Sequence, residues 1–347
     1  MKVYEQMIKN RLVPVLEERN CFSPAQAAYR KGRSTVDHLF VLQELFFHYR
    51  YAGRHWDRRR RLNLCFLDLR KAFDSVPRKR LFYKLRTLGL EGKMLRVIQD
   101  LFTSNPALVR IGEFKSNTFE INSGVMQGSK LGPILFSLFI NDLLDRLHHS
   151  TLGATLGGVT VSGLGFADDI ILVADNESSM KALIKICEIW SRQNGMLFNI
   201  SKCKAMVLNG AKEPSTWSLY DEALETTNSY KYLGVTISST RLTSLYTEHF
   251  NIIEQKVNTR VNCIRHFGFS RDGLRPFTCI RMYKVLVRPI LEYAAQTLSY
   301  RHYYFNSTKT NENCNRTLIG GDSFSFKLEK LQFLKSSSLV QKVPHRP

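Results

Sequence analysis

Three aspartates carry the clearest chemical signal in the chain. Gly165-Phe166-Ala167-Asp168-Asp169 runs from apolar residues into two adjacent carboxylates and returns at once to Ile170-Ile171-Leu172-Val173. Roughly a hundred residues earlier, the apolar run from Leu62 to Leu69 delivers Asp68 near its end. Apolar segments on both sides predict two buried strands, with the acidic pair at or beside a hairpin tip. Carboxylates placed there repel one another and resist desolvation unless a cation holds them, and a divalent metal is the simplest such cation. If the two segments are neighbours in one sheet, Asp68, Asp168 and Asp169 converge. They then form a ligand set for two Mg²⁺ ions about 3.5–4 Å apart, the arrangement that serves in-line phosphoryl transfer. Mn²⁺, equally suited to oxygen donors, is the alternative metal. Asp-Asp at a strand end is also an ordinary solvated turn, so the rest of the chain must decide.

The elements that would position these groups read as an alternation of helices and buried strands. Residues 3–16 have amphipathic helical spacing, followed by a loop through Ser23-Pro24. Tyr29-Arg30-Lys31-Gly32-Arg33-Ser34-Thr35 is a basic turn before a second helix over 36–51. Arg58-Arg59-Arg60-Arg61 is a charge run in a loop, readable as a solvated patch or as a phosphate contact. After the strand at 62–69, Pro77 suits a first helical turn, with Leu81, Leu85 and Leu88 on one face and Gly89 as the stop. Residues 107–111 and 117–121 form a hairpin. A Gly-rich turn over 124–132 precedes a strongly apolar helix over 131–147. A helix over 177–194 closes at Gly195, strands follow at 204–208 and 230–237, and 242–299 is mainly helical. From Tyr300 the sequence is polar and irregular and predicts no firm structure. Asp74, beside Ser75 and Pro77, reads as a helix cap. Asp142 and Asp145 follow an apolar run at helical spacing and read as solvent-facing.

Composition narrows the partners. With 347 residues, 44% of them hydrophobic, the chain can bury a sizeable core in two or three lobes. Fifty Lys and Arg against thirty Asp and Glu give a net charge of +20. That excess predicts a polyanionic partner, nucleic acid first and an anionic membrane surface second. Seven cysteines, with no CxxC pair, argue against a disulfide framework or zinc cluster; Cys65, Cys187 and Cys203 read as buried free thiols. No signal-peptide core and no run of about eighteen apolar residues is present. The expected setting is intracellular, nucleus or cytoplasm, not secreted and not in a membrane.

With these blocks taken in order, the chain resembles the reverse transcriptase domain of non-LTR (LINE-type) retrotransposons. Phe66-Leu67-Asp68-Leu69-Arg70-Lys71-Ala72-Phe73-Asp74 resembles the first catalytic block. Ser123-Gly124-Val125-Met126-Gln127-Gly128-Ser129-Lys130-Leu131-Gly132-Pro133 resembles the glutamine-glycine block. Phe166-Ala167-Asp168-Asp169 is similar to the acidic block, and Gly195 through Lys204 to the one after it. Tyr230-Lys231-Tyr232-Leu233-Gly234-Val235 resembles the primer-grip hairpin, and Tyr283 to Tyr293 a thumb helix. The resemblance covers roughly residues 2–295.

The resemblance implies an α+β right-hand polymerase fold, with an antiparallel palm sheet, partial fingers and a helical thumb. Residues 1–61 would be partial fingers, 62–237 the palm with interleaved fingers elements, 238–299 a thumb-like region, and 300–347 a divergent tail. It implies RNA-directed DNA synthesis onto a primer 3′-hydroxyl, with an RNA template, a DNA primer or target, and deoxynucleoside triphosphates as partners. Asp68, Asp168 and Asp169 would be the catalytic metal ligands. Arg70, Lys71 and Ala72 would line the triphosphate through backbone N–H groups. Phe73 would be the plate under the incoming sugar, although from sequence alone a plain core aromatic is slightly the better reading. Gln127 and Gly128 would lie against nucleotide and template, where a glycine admits close backbone approach. Lys202 or Lys204 would meet the departing pyrophosphate, and the spacing does not choose between them. Arg30, Lys31 and Arg33 would contact template backbone, which fixes position without reading sequence. Tyr232, Leu233 and Gly234 would meet the primer. The family pattern normally carries a further basic fingers segment upstream of the first helix, and an endonuclease elsewhere. The expectation is therefore a truncated copy, with a catalytically inactive remnant that binds RNA or DNA as the alternative reading. A two-metal nuclease built on the same carboxylates is a more distant one.

Overall fold

The computed structural model describes residues 2–51, 61–103, 106–126, 128–209, 217–239, 245–268 and 275–295. Residues 58–60 of the arginine run, Gln127 and the polar stretch from Tyr300 lie outside them. The chain divides into two compact units: residues 1–155 with 160–228, and residues 156–159 with those from 229 onward.

The first unit opens with α1 (Lys2–Glu18) and α2 (Thr35–Tyr51), then enters β1 (Leu62–Asp68). A short turn, α3 (Ala72–Ser75), leads to α4 (Arg78–Thr87) and α5 (Gly92–Thr103). The expected hairpin follows as two rungs: β2 (Pro106–Ala107) with β5 (Phe119–Glu120), and β3 (Arg110–Ile111) with β4 (Phe114–Lys115). Then come α6 (Gly132–His148), β6 (Ala154–Leu156), β7 (Val159–Val161), β8 (Gly163–Phe166) and β9 (Asp169–Ala174). α7 (Glu177–Asn194), β10 (Lys204–Leu208), the hairpin β11 (Ser218–Leu219) and β12 (Glu222–Ala223), and β13 (Glu225–Thr226) complete the unit.

One sheet organises it, in the order β13-β10-β1-β9-β8. All neighbours are antiparallel except β10 and β13. β1 is central, which explains why Leu62 through Leu67 are buried without interruption. Alternation splits the strands between two faces. Cys65, Leu67, Ile170, Leu172 and Ala174 share a core with α6 and α7 residues such as Ile134, Phe136, Leu183 and Trp190. Leu64, Phe66, Ile171 and Val173, also buried, belong to the other face, and Asp68 and Asp169 continue that second set. The glycines of β8 admit α6. A Cβ on Gly165 would lie 2.7 Å from Leu144 Cδ1, closer than any side chain tolerates.

Local signals explain the helix ends. Asn176 Oδ1 accepts the Ser179 N–H at 2.7 Å and starts α7, and Gly195 closes it in the left-handed region. Asp74 does not cap: it sits inside α3, and the residues that precede α3 and α4 are Lys71 and Pro77. Asp142 faces solvent only in part, since it is also paired. Its Oδ1 accepts Lys84 Nζ at 2.7 Å and Trp190 Nε1 at 2.9 Å, and Asp145 accepts from Asn141 Nδ2. Lys84 packs over the Phe139 and Trp190 rings, where an unpaired ammonium would be costly, so Asp142 supplies the counter-charge.

The second unit contains a hairpin and helices. Residues 230–237, expected as one strand from the local pattern and as a hairpin from the resemblance, turn back on themselves: β14 (Ser229–Tyr232) pairs with β15 (Val235–Ser238) around Leu233-Gly234. Both turn residues have positive φ, as a two-residue hairpin requires. α8 (Thr247–Gly268), α9 (Pro276–Leu286) and α10 (Arg288–Glu292) share a core of Ile253, Val257, Val261 and Ile264 with Cys279, Val287 and Leu291. Among the described residues no helix is long and apolar enough to cross a membrane. Cys65, Cys187 and Cys203 are buried free thiols, as expected.

Candidate active site

The sheet brings the carboxylates together. Asp68, last in β1, stands in register with Asp169, first in β9. Phe166 pairs with Asp169 across β8 and β9, so Ala167-Asp168 is the two-residue turn between them. Ala167 has φ 57°, a left-handed conformation that strains a residue with a Cβ. Its N–H donates to Gln26 Oε1 at 3.2 Å.

The electrostatics are those of under-neutralised acids. Desolvation raises Asp169 from 3.8 to about 6, and the charges of Asp168 and then Asp68 add to it. Asp168 is also pushed above its ordinary value, first by desolvation; its own N–H pulls it back, Asp68 raises it and Lys202 lowers it. Among the described residues, no three His, Cys, Asp or Glu side chains are already gathered closely enough to enclose a metal ion. The donor set nonetheless fits a hard divalent cation. Its oxygens are carboxylate, their mutual repulsion is what a cation would relieve, and Mg²⁺ takes few protein ligands, completing its shell with water and phosphate.

The loop after α7 holds the end of β1. Asp68 donates its N–H to Cys203 Sγ at 3.4 Å, and its carbonyl accepts the Asn199 N–H at 2.7 Å. Here the structure separates the two lysines. Lys202 Nζ lies 3.5 Å from Asp68 Oδ2, with its side chain largely exposed. Lys204 Nζ instead donates to Ser201 O and to Glu225 on the neighbouring strand.

The turn after Asp68 departs in part from expectation. The Arg70 N–H is already donated to Leu197 O at 2.9 Å, so it offers no donor to a phosphate. Lys71, in the left-handed region, and Ala72 lead into α3 with N–H groups that no described residue accepts. Phe73 is half-buried and stacks on Phe136, ring centroids 4.7 Å apart, so it is a core aromatic with one side still open. Gln127 lies outside the described residues. Gly128 has φ 77° and nothing within 4 Å of where a Cβ would stand, so backbone conformation and open space meet there.

Sequence reasoning missed the supports of this block. Arg78, almost buried, donates to four carbonyls: Phe102, Ile121, Ser123 and Gly124. Glu5, buried in α1, accepts the Ser129 hydroxyl at 2.9 Å and the Lys130 N–H at 2.6 Å. Neither pairing leaves a local signature, because each joins segments far apart in sequence.

The basic turn is only partly available. Arg30 forks onto Glu17 at 2.7 and 3.0 Å, donates to the Ser23 and Gln26 carbonyls, and lies over the Phe22 ring. Four of its five N–H donors are taken from within the chain, so Arg30 has a structural role and is not the free phosphate contact expected of it. Lys31 is exposed and Arg33 half-exposed. Tyr29, missed as anything but the start of this turn, has φ 60°, and its hydroxyl is raised first by desolvation and then by the Asp168 charge. In the second unit Tyr232 and Leu233 are buried, while Gly234 is exposed at the hairpin tip, where Leu233 O accepts the Tyr293 hydroxyl at 2.7 Å.

Comparison with known proteins agrees with this geometry. The family profile for reverse transcriptase (RNA-dependent DNA polymerase) matches residues 1–237. Over 201 residues the chain is 30% identical to the Retrovirus-related Pol polyprotein from type-1 retrotransposable element R2 of Popillia japonica, covering 54% of this chain and 33% of that one. Over 302 residues it is 26% identical to the RNA-directed DNA polymerase from mobile element jockey of Drosophila funebris, covering 85% and 31%. The chain thus spans about a third of the length of these relatives. Telomerase from Candida tropicalis, solved in complex with a TWJ fragment of telomeric RNA, aligns with TM-score 0.51 and 13% identity over 95% of this chain and 48% of that one, a likeness of fold. With the profile covering well over half its length, the chain belongs to the reverse transcriptase family, and the relatives it matches are proteins of the retrotransposable element R2 and the mobile element jockey.

Proposed function

We propose that this chain catalyses RNA-directed DNA synthesis, adding deoxynucleotides to a primer 3′-hydroxyl against an RNA template. The observation that carries the reading is the register of Asp68 against Asp169 at the centre of the sheet, with Asp168 in the adjoining turn. Asp68, Asp168 and Asp169 would hold two Mg²⁺ ions, or Mn²⁺, which when bound activate the hydroxyl and neutralise charge on the transferring phosphate. In this reading the five-stranded sheet is the palm, α1, α2 and the β2–β5 hairpin are fingers elements, and α8 to α10 are the thumb.

The remaining roles belong to the chain's own side chains. Lys202, beside Asp68 and open to solvent, gives a proton or a positive charge to the departing pyrophosphate, and Lys204 does not. Ala72 and Lys71 present free N–H groups to the triphosphate. The open side of Phe73 lies under the sugar, its other face fixed by Phe136. Gln127 and Gly128 border the nucleotide. Lys31 and Arg33 meet template phosphates, and Gly234 exposes the primer-side turn. Buried free thiols are in keeping with an intracellular setting.

The test is primer extension on an RNA template with Mg²⁺, comparing the native chain with Asp168→Asn/Asp169→Asn. Extension by the native chain alone supports the reading; equal extension, or none by either, sinks it. The net charge of +20 favours one second reading, salt-sensitive RNA binding without catalysis. In that case both proteins bind RNA and neither extends.

A further inference from the structure

Residues 25–27 run beside the edge strand of the sheet. Gly165 donates its N–H to Ala25 O at 2.9 Å, and Ala27 donates to Gly165 O at 3.2 Å, so Gln26 pairs in parallel with Gly165. The Gln26 side chain is fully buried at 0% exposure. Its Oε1 accepts two backbone N–H groups, from Ala28 at 2.9 Å and from Ala167 at 3.2 Å. Both partners are donors, so the oxygen must be the atom that faces them. Each accepted N–H adjoins or belongs to a strained residue, Tyr29 at φ 60° and Ala167 at φ 57°. Ala167 directly precedes Asp168.

The other half of the amide makes glutamine a poor choice for packing alone. Nε2 is buried with no hydrogen-bond partner. A leucine or methionine would fill the same space without an orphaned donor. Neither could accept from both turns. A residue type that is wasteful for stability and suited to holding a strained turn points to geometry as its purpose.

We propose that Gln26 is a positioning residue for the Asp168 turn: a single oxygen ties the carboxylate hairpin to the turn that begins the basic segment. Without this acceptor, the Ala167 N–H loses its partner and the Ala167-Asp168 turn is free to relax from its left-handed conformation. The carboxylates then lose the arrangement in which they receive a cation. The pairing of β8 with β9 over Gly163–Phe166 keeps β8 itself in place, so the effect stays at the tip. The role in synthesis rests on the polymerase reading; the effect on the hairpin does not.

The experiment compares the native chain with Gln26→Leu, which removes the acceptor, and Gln26→Glu, which keeps it. Amide hydrogen exchange at Ala28, Ala167 and Asp168, Mn²⁺ affinity by electron paramagnetic resonance, and kcat and KM for deoxynucleotide in primer extension are read on each. Gln26→Leu is expected to stay folded, exchange about tenfold faster at the hairpin tip and at Ala28 but not across the sheet, bind Mn²⁺ several-fold more weakly, and lose about tenfold in kcat with KM little changed. Gln26→Glu, read near pH 6 where a fully buried carboxyl is held protonated and its carbonyl oxygen still accepts, is expected to retain more than Gln26→Leu in all three readings. Unchanged exchange or Mn²⁺ affinity in Gln26→Leu, faster exchange across the whole sheet, or an equal loss in Gln26→Glu overturns the proposal. Should Gln26→Leu fail to fold, Gln26→Met is read in its place. If the native chain does not extend primers, the polymerase reading fails while exchange and Mn²⁺ affinity still decide the role of Gln26.

Discussion

The acidic ends of the inner strands β1 and β9 and the basic turn at residues 29–33 are both charged motifs, yet the fold treats them in opposite ways. Asp168 and Asp169 stay under-neutralised and resist ionisation, with Lys202 at 3.5 Å from Asp68 as the nearby cation. Arg30 spends four of its five donors on one carboxylate and two carbonyls and lies over a ring. Charge left unsatisfied at such cost requires an external partner, whereas charge largely satisfied from within serves the fold. In a chain with a net charge of +20 the acids are therefore the more informative motif.

The sharpest way to break that comparison is to neutralise one residue on each side. Asp68→Asn is expected to reduce primer extension by about a thousandfold or more, while the thermal midpoint holds or rises. A large fall in melting temperature would show instead that Asp68 is structural. Arg30→Ala is expected to do the reverse. It leaves Glu17 and two carbonyls without their donor and lowers stability by about 2 kcal/mol in denaturant titration. The salt dependence of RNA binding should not change. Lys31→Ala should leave stability alone and reduce the salt slope by about one. If Arg30→Ala reduces the slope as well, Arg30 touches phosphate after all.

A smaller effect separates the two lysines. Lys202→Ala should lower kcat by about ten- to a hundredfold, and Lys204→Ala by no more than a few-fold, because Lys204 is occupied by Glu225. Equal losses measured in single-turnover extension would remove the distinction that Lys202's approach to Asp68 draws.

What could be read from sequence follows the same line between local and distant causes. The bounds of α7 at Glu177 and Asn194 were legible because Asn176 caps one end and Gly195 the other. The Asp68–Asp169 neighbourhood was legible because buried strands have few places to go. The β14–β15 hairpin was missed as a local pattern: Leu233 in the left-handed region is not the Asn or Asp that such a turn usually announces itself with. Arg30 with Glu17, Lys84 with Asp142, Arg78 with four carbonyls and Gln26 with Ala167 were illegible for another reason. Each joins residues whose proximity exists only after folding, so a paired and an unpaired side chain look the same in the sequence.

The smallest effect is the most direct measure of the unsatisfied acid. The folded state raises Asp169 from 3.8 to about 6, chiefly by desolvation and then by Asp168 and Asp68. A carboxyl raised on folding binds more protons folded than unfolded, so stability falls as pH climbs from about 4 to about 6 and stays reduced above that. Asp169→Asn removes the charge. With chelator present, it should therefore stabilise the protein at pH 7.5 by about 1 kcal/mol, a figure discounted because the side chain remains open to solvent. The gain should shrink as pH falls through 6 and vanish only well below 3.8, where the carboxyl is protonated in both states. Adding excess Mg²⁺ at pH 7.5 should reverse the order, since a cation held by Asp169 stabilises only the native chain. Thermal melts of the two proteins across that pH range, with and without metal, read all three outcomes. A variant no more stable than the native chain at pH 7.5 without metal would mean that the acidic strand ends are already neutralised from within. The contrast with Arg30 would then disappear.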